Sequence, residues 1–185
     1  MNLRNSSRAL ALLAPVLAAG ILGTPAGAHP EHPGGAHPDS SYAQQRDLAR
    51  ARIATLKYIS ERRAVADGYA PTVDCVASPA GGMGMHYVNG PLVGDPAVSV
   101  TRPEVLLYES SPWGPRLIGA EYMKVDEDQD LSTDGDRPTL YGVPFDGPMA
   151  GHAPGMPIHY DLHVWLWKQN PSGMFAQFNP RVRCS

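Results

Sequence analysis

The sequence predicts an α+β domain, with one long N-terminal helix packed on a curved, mainly antiparallel sheet of about six or seven strands. Two observations carry this prediction. Residues 40–67 contain no proline or glycine and place apolar side chains at helical spacing. From Pro71 onward, short runs rich in Val, Tyr, Leu and Trp are separated by glycines and prolines. Such runs, with no helix between them, are typical of antiparallel strands joined by turns.

The chain begins with the pattern of a secretory signal peptide. Arg4 and Arg8 precede an apolar run over residues 9–23, and small residues follow at 26–28. We predict that residues 1–28 are a signal peptide cleaved after Ala28, with cleavage after Ala26 as the alternative. The run is too short for a membrane span. We therefore expect a secreted or periplasmic protein without stable membrane insertion.

The mature chain is predicted to be acidic and to form one domain. Loss of Arg4 and Arg8 lowers the number of basic residues from 15 to 13, against 18 acidic ones, for a net charge of −5. This balance, without a basic cluster, excludes nucleic acid as an expected partner. Residues 29–39 are rich in His, Pro and Gly and predict a disordered tail, and residues 40–185 predict a single α+β domain.

The helix is expected to begin at Asp39, Ser40 or Ser41, each of which can cap it, and to end before Gly68. Spacing of about 100° per residue places an apolar stripe on one side. The stripe consists of Leu48, Ala49, Ile53, Leu56, Ile59 and Ala66. We expect this stripe to pack on the sheet.

Seven segments have the composition and length of strands. They are Thr72–Ala77, Met83–Asn89, Glu104–Glu109, Arg116–Val125, Thr139–Val143, Ile158–Trp167 and Met174–Phe178. Residues 110–115 (SSPWGP) read as a hairpin connection between two of them. The acidic segment 126–136 lacks the glycine and glutamate positions of an EF-hand loop, so we read it as a solvated loop.

The segment Ile158–Trp167 has two contrasting faces, because side chains two apart on a strand point the same way. One face is apolar apart from a hydroxyl and is predicted to pack under the helix; it consists of Ile158, Tyr160, Leu162, Val164 and Leu166. The other face carries His159, Asp161, His163, Trp165 and Trp167. The second face therefore either solves a packing problem or forms a site.

Two cysteines remain in the mature chain, Cys75 and Cys184. In an oxidising compartment two cysteines usually form one bridge, and no CxxC spacing favours a metal thiolate. A bridge closing so long a loop contributes roughly 4–5 kcal/mol in chain-entropy models. We predict a structural disulfide that ties the last residues to the first strand region.

Several motifs resemble a family of exported bacterial hypothetical proteins of unassigned activity. They are ATLKYISERRAVADGYAPT (54–72), GGMGMHYVN (81–89), IGAEYM (118–123) and LHVWLWKQNPSGMFAQFNPRVRC (162–184). The resemblance spans nearly the whole mature chain. It implies export and a single unit, and it supplies no site residues.

The histidines of the predicted strands indicate where a site would lie. If their strands are neighbours, His86, Glu121 and His163 can converge, and two imidazoles with a carboxylate suit a divalent transition metal such as copper or zinc. Asp161 can replace Glu121 or orient an imidazole. Methionines close to the histidines favour copper, and they are Met83, Met85, Met149 and Met156. A structural hydrogen-bond network is the alternative for the same residues.

Two further interpretations of the pocket stay open. His163 with Asp161 or Glu121 can act as a general acid/base pair in a small hydratase- or isomerase-like enzyme. Tyr87, Tyr122 and Trp165 would then line a site for an apolar ligand. The leading prediction is binding of a small ligand or metal ion, with an enzyme and a structural or interaction module as alternatives. The tail offers a separate copper site if His29 becomes the amino terminus.

Overall fold

A computed structural model describes residues 38–152 and 155–184 of the chain. The predicted signal peptide and residues 29–37 of the predicted tail lie outside the described residues. The first helix begins at Pro38, at the end of that tail. No helix in the described part of the chain has both the length and the apolar character needed to cross a membrane.

The prediction of one long helix is wrong, because the chain breaks it near its middle. Helix α1 spans Pro38–Thr55, a 3-10 turn spans Leu56–Ile59, helix α2 spans Glu61–Ala66, and a short helix α3 follows at Gly90–Val93. At the break, the Thr55 hydroxyl donates a hydrogen bond to the Ala51 carbonyl, a contact that often bends helices. Ser60 then adopts an extended conformation (φ −85°, ψ 107°), which no helix can continue through.

The break changes which helical residues face the sheet. Three members of the predicted stripe are largely exposed, namely Ile53 at 75%, Leu56 at 54% and Ile59 at 55%. Leu48 and Ala51 of α1 pack in one hydrophobic cluster, and Tyr58 and Ala64 pack in another. Because of the bend, the apolar patches of α1 and α2 contact different parts of the curved sheet. A straight helix would contact the sheet along one line only.

The sheet confirms the predicted α+β class and the antiparallel arrangement. In the described part of the chain, six strands form one curled, half-barrel sheet in the order β1-β2-β3-β4-β8-β7, and every neighbouring pair is antiparallel. Its strands are β1 (Ala70–Ser78), β2 (Gly81–Val88), β3 (Val105–Glu109), β4 (Arg116–Val125), β7 (Asp146–Met149) and β8 (His159–Val164). Strands β5 (Thr139–Leu140) and β6 (Val143–Pro144) form a separate two-stranded ribbon. Residues 110–115 join β3 to β4, as predicted.

Four strand predictions need correction. The predicted strand Thr139–Val143 is two short strands, β5 and β6, which pair with each other. Residues 174–178 form turns and no strand, although Met174 still accepts a hydrogen bond from the backbone N–H of Trp165. Strand β8 ends at Val164 instead of Trp167. Strand β7 was missed, because its sequence, DGPM, contains the residues that usually mark turns. It forms a sheet edge, where a proline is tolerated.

A disulfide joins Cys75 on β1 to Cys184, which confirms the predicted pairing. Residue 179 also pairs with Gly82 of β2 through two backbone hydrogen bonds. The C-terminal segment is therefore attached to the β1–β2 side of the sheet by both covalent and hydrogen bonds.

The two faces of the sheet differ in composition, as the alternation in β8 predicts. On the face covered by α1, the largest hydrophobic cluster contains Ala120 and Tyr122 of β4 together with Tyr160, Leu162 and Val164 of β8. We call this the helix face. Glu121 and His163 lie between these residues along their strands and point to the opposite face, which we call the polar face.

Candidate metal centre

Three predicted site residues from three strands converge on the polar face. Glu121 of β4 and His163 of β8 are direct cross-strand partners, and Glu121 Oε2 lies 3.7 Å from His163 Nε2. His86 comes from β2, beyond the intervening strand β3, yet its Nε2 lies 3.3 Å from the same carboxylate oxygen. In a flat sheet those two strands would lie about 10 Å apart. The curl of the sheet therefore closes the cluster.

The cluster is buried and leaves several polar atoms without hydrogen bonds. The exposed fractions are 9% for His86, 5% for Glu121 and 1% for His163. The close contacts do not have hydrogen-bond geometry, and His86 Nδ1, Glu121 Oε2 and both ring nitrogens of His163 have no partner. Buried polar atoms are normally paired, and each exception needs a reason. The ion pairs of His86 and His163 with Glu121 are also what a structural network would contain, so that alternative stays open for these residues.

The charges of the cluster support one another. Burial alone would raise the pKa of Glu121, but the imidazoles of His163 and His86 outweigh it and hold that pKa below its usual value. Burial alone would lower the pKa of His163, whereas the carboxylates of Glu121 and Asp161 outweigh it and raise that pKa. The polar face therefore keeps a carboxylate ionised in the protein interior, and a metal ion at Glu121 would have to displace the proton that the same carboxylate favours on His163.

Asp161 lies beside the cluster in the position of an orienting group. Its Oδ1 is 3.6 Å from His163 Nδ1, the ring nitrogen that faces away from Glu121, and it has no other partner. Asp161 is only 2% exposed. Its cross-strand partner on the edge strand β7 is Asp146. Burial and the charge of Asp161 raise the pKa of the Asp146 carboxyl. Two carboxyl groups, Asp161 and Asp146, therefore lie on the Nδ1 side of His163.

Of the three residues predicted to line a ligand pocket, two lie on the helix face, and Trp165 packs with Val105, the cross-strand partner of Glu121. Tyr87 and Tyr122 each follow a cluster residue in sequence and therefore point to the helix face, where they pack in hydrophobic clusters. The Tyr87 hydroxyl donates to Glu61 Oε1 at 2.8 Å. Trp165 packs in a third hydrophobic cluster, and its Nε1 donates to the Ala176 carbonyl at 2.6 Å. The group of potential metal ligands contains none of these three side chains.

The structure adds His159 and Glu104 to the buried polar groups of interest. His159 is fully buried, and its Nε2 has no partner. Its alternation with Asp161 and His163 on one strand face is the signal for it in the sequence. Glu104 is 1% exposed and accepts a hydrogen bond from the backbone N–H of Met123. Burial raises the pKa of Glu104 to about 7.

Two surface pockets of the described chain lie away from the cluster. One is formed around Tyr58 and Tyr69, and the other lies beside Cys184. Neither is lined by His86, Glu121 or His163.

Comparison of the chain with family models, curated proteins and solved structures finds no match. The resemblance noted in the sequence therefore stays a prediction. Any functional inference has to come from the geometry of the site itself.

Proposed function

We propose that this protein binds a divalent transition metal ion, zinc or copper, through His86 Nε2, Glu121 Oε2 and His163 Nε2. The observation that carries the proposal is the position of these ligand atoms, which all lie within 4.8 Å of one another in a buried cluster. Imidazole and carboxylate are donors that both metals accept. We further propose that the protein is exported, as its signal-peptide pattern and disulfide favour.

The spacing of the ligand atoms fits a metal ion. Ligand atoms about 2.0–2.2 Å from a tetrahedral ion lie about 3.3–3.6 Å from each other. The two distances from Glu121 Oε2, 3.3 Å and 3.7 Å, bracket that range. The three ligand atoms all lie within 4.8 Å of one another, so a bound ion requires the two imidazoles to move closer together. Glu121 Oε2 is the central donor, because both histidines approach it.

Asp161 fits the role of a positioning residue for His163. If His163 Nε2 binds the ion, its Nδ1 carries the proton and faces Asp161 Oδ1 at 3.6 Å. A carboxylate in this place fixes the ring orientation and makes the imidazole a better donor. Three protein ligands leave a fourth position for water or a small ligand, as in open zinc sites.

Burial favours an ion over a larger ligand. A substrate for acid/base chemistry at His163 would need to reach a side chain that is 1% exposed. A single ion needs far less space, and it also gives the unpartnered nitrogen and oxygen atoms their missing contacts. The binding proposal is therefore favoured over the enzyme interpretation.

The test is metal analysis and calorimetric titration of the full mature protein, purified from its native compartment and then stripped with a chelator. We expect one tightly bound zinc or copper ion per chain. Replacement Glu121→Gln or His163→Ala should abolish binding, because each removes a charge or a donor from a three-ligand site.

Glu104→Gln is the matched control, since Glu104 is an equally buried glutamate at the start of β3 and lies outside the cluster. It should bind metal like the wild type. A variant with His29, His32 and His37 replaced by serine should also bind, which separates the buried site from the tail. Unchanged binding in Glu121→Gln, or no binding in the wild type, would rule the proposal out.

A further inference from the structure

The end of strand β8 carries a second metal-ligand candidate, His159. Its side chain is fully buried, and its Nδ1 lies 3.0 Å from the carbonyl oxygen of Pro157. A carbonyl oxygen can only accept a hydrogen bond, so Nδ1 carries the proton. Nε2 then keeps its lone pair, and it has no partner. Metal-binding histidines typically have this arrangement, with one ring N–H held by a backbone carbonyl.

A second imidazole lies against this buried ring on the solvent side. The ring centres of His152 and His159 are 5.3 Å apart and nearly perpendicular. His152 is exposed. A ring nitrogen binds a transition metal at about 2 Å, so two rings at this separation can both reach one ion.

Two methionines come from the same sheet edge and loop as the two histidines. Met149 of β7 is the cross-strand partner of His159, so the two side chains share one face of the sheet edge. Met156 Sδ lies 3.4 Å from the backbone nitrogen of His152. Both methionines are partly buried. The four side chains come from β7, from β8 and from the segment between these strands.

We propose that His159, His152, Met149 and Met156 form a second metal position, selective for monovalent copper. Thioether and imidazole together are a soft donor set, which Cu(I) prefers. The centre at Glu121 has a carboxylate and no sulfur, and therefore selects a divalent ion. The proposal of this second position does not depend on the first being a metal centre, because it uses none of the three ligands at Glu121.

The experiment is a competition titration of the full mature protein with Cu(I), held by a chromogenic chelator under anaerobic conditions. The starting protein carries serine in place of His29, His32 and His37, so that the tail does not compete. We expect it to withdraw about one equivalent of Cu(I) from the chelator. The double variant Met149→Leu/Met156→Leu should bind Cu(I) at least about tenfold more weakly, a loss found even for outer partners of metal ligands.

The control is Met85→Leu, which replaces a partly buried methionine packed in the helix-face cluster of Tyr58 and Tyr87. It should bind Cu(I) like the starting protein. His152→Ala should weaken binding as the double variant does, and its exposed position makes it compatible with folding.

The two sites can be told apart by Glu121→Gln. This variant should lose zinc binding and keep Cu(I) binding. If the double methionine variant binds Cu(I) as tightly as the starting protein, or if the starting protein does not compete for Cu(I), the second position does not exist.

Discussion

The two faces of the curled sheet bury polar groups in opposite ways. On the helix face the buried tyrosine hydroxyls are paired, as where Tyr108 donates to the Tyr58 carbonyl at 2.6 Å and Tyr122 to the Val100 carbonyl at 2.8 Å. On the polar face, six ring and carboxylate atoms have no partner, and they belong to His86, Glu121, His159, Asp161 and His163. Both faces are equally excluded from solvent.

This difference affects how the polar groups of each face contribute to stability. A buried hydroxyl with a partner adds little net free energy but costs little. A buried imidazole or carboxylate without a partner lowers the stability of the folded state, and proteins tolerate such costs mainly at functional sites. The apolar and paired groups of the helix face therefore stabilise the fold, whereas the unpaired groups of the polar face lower its stability. Substitutions on each face test this difference.

The largest effect is expected on the helix face. Leu162 is 1% exposed and packs in the cluster with Leu48 of α1. Leu162→Ala should lower the free energy of unfolding by about 4 kcal/mol, because it removes buried methyl groups and leaves a cavity. Urea denaturation with and without zinc measures the effect. The same loss is expected in both conditions, since Leu162 points away from the metal cluster.

Leu131→Ala is the matched control, because Leu131 is 54% exposed and its truncation should change stability by less than about 0.5 kcal/mol. If Leu162→Ala lowers the free energy of unfolding only without zinc, the two faces are coupled and do not act independently.

An intermediate effect is expected from the pH dependence of stability. Burial raises the pKa of Glu104 to about 7, above its ordinary value of 4.5. A carboxyl group whose pKa is higher in the folded state contributes stability below pH 4.5 and loses it as the pH rises through 7. The loss amounts to about 3 kcal/mol at 1.36 kcal/mol per pKa unit. Glu104→Gln should remove this dependence while keeping an acceptor for the Met123 N–H.

Urea denaturation of the chelator-treated wild type and Glu104→Gln at pH 5 and pH 8 measures this contribution. The difference between the two proteins isolates Glu104, because they differ at that position alone. A stability difference that does not change between the two pH values would show that Glu104 is ionised in the folded protein throughout.

The smallest effect, and the most diagnostic one, is expected on the polar face. The triple variant His86→Leu/Glu121→Met/His163→Phe should be about 2 kcal/mol more stable than the wild type without metal, since apolar side chains of similar size often outperform buried charges. It should gain nothing from zinc. Urea denaturation with chelator and with zinc measures both effects. A less stable triple variant would instead favour the structural interpretation of the cluster.

The class of fold and the disulfide could be predicted because each rests on local or covalent information. Strand periodicity is visible in the segment that became β8, and two cysteines in an oxidising compartment have one way to pair. The break at Ser60 could not be predicted, because residues 40–67 lack helix-breaking residues. Packing of Tyr58 against Tyr69 and Tyr108 favours the bend over intrinsic helix propensity.

The metal cluster was predicted only in part. Alternation along each strand shows which face Glu121 and His163 share with Asp161. It also implies that Tyr87 and Tyr122, as immediate neighbours of cluster residues, point the other way. That consequence was available from the sequence and excludes both tyrosines from the site. His159 was underestimated because its partner on the Nδ1 side, the Pro157 carbonyl, depends on the local turn.

The sequence by itself determined which side chains alternate, which cysteines can pair and which residues have the chemistry of metal ligands. Those properties depend on neighbours one to four positions away or on composition alone. Only the tertiary structure decided that His86 reaches Glu121 across β3. Strand order and sheet curvature arise from packing between segments distant in sequence, and no local pattern encodes them. The candidate metal centre on the polar face therefore depends on the curvature of the sheet, which the sequence does not show.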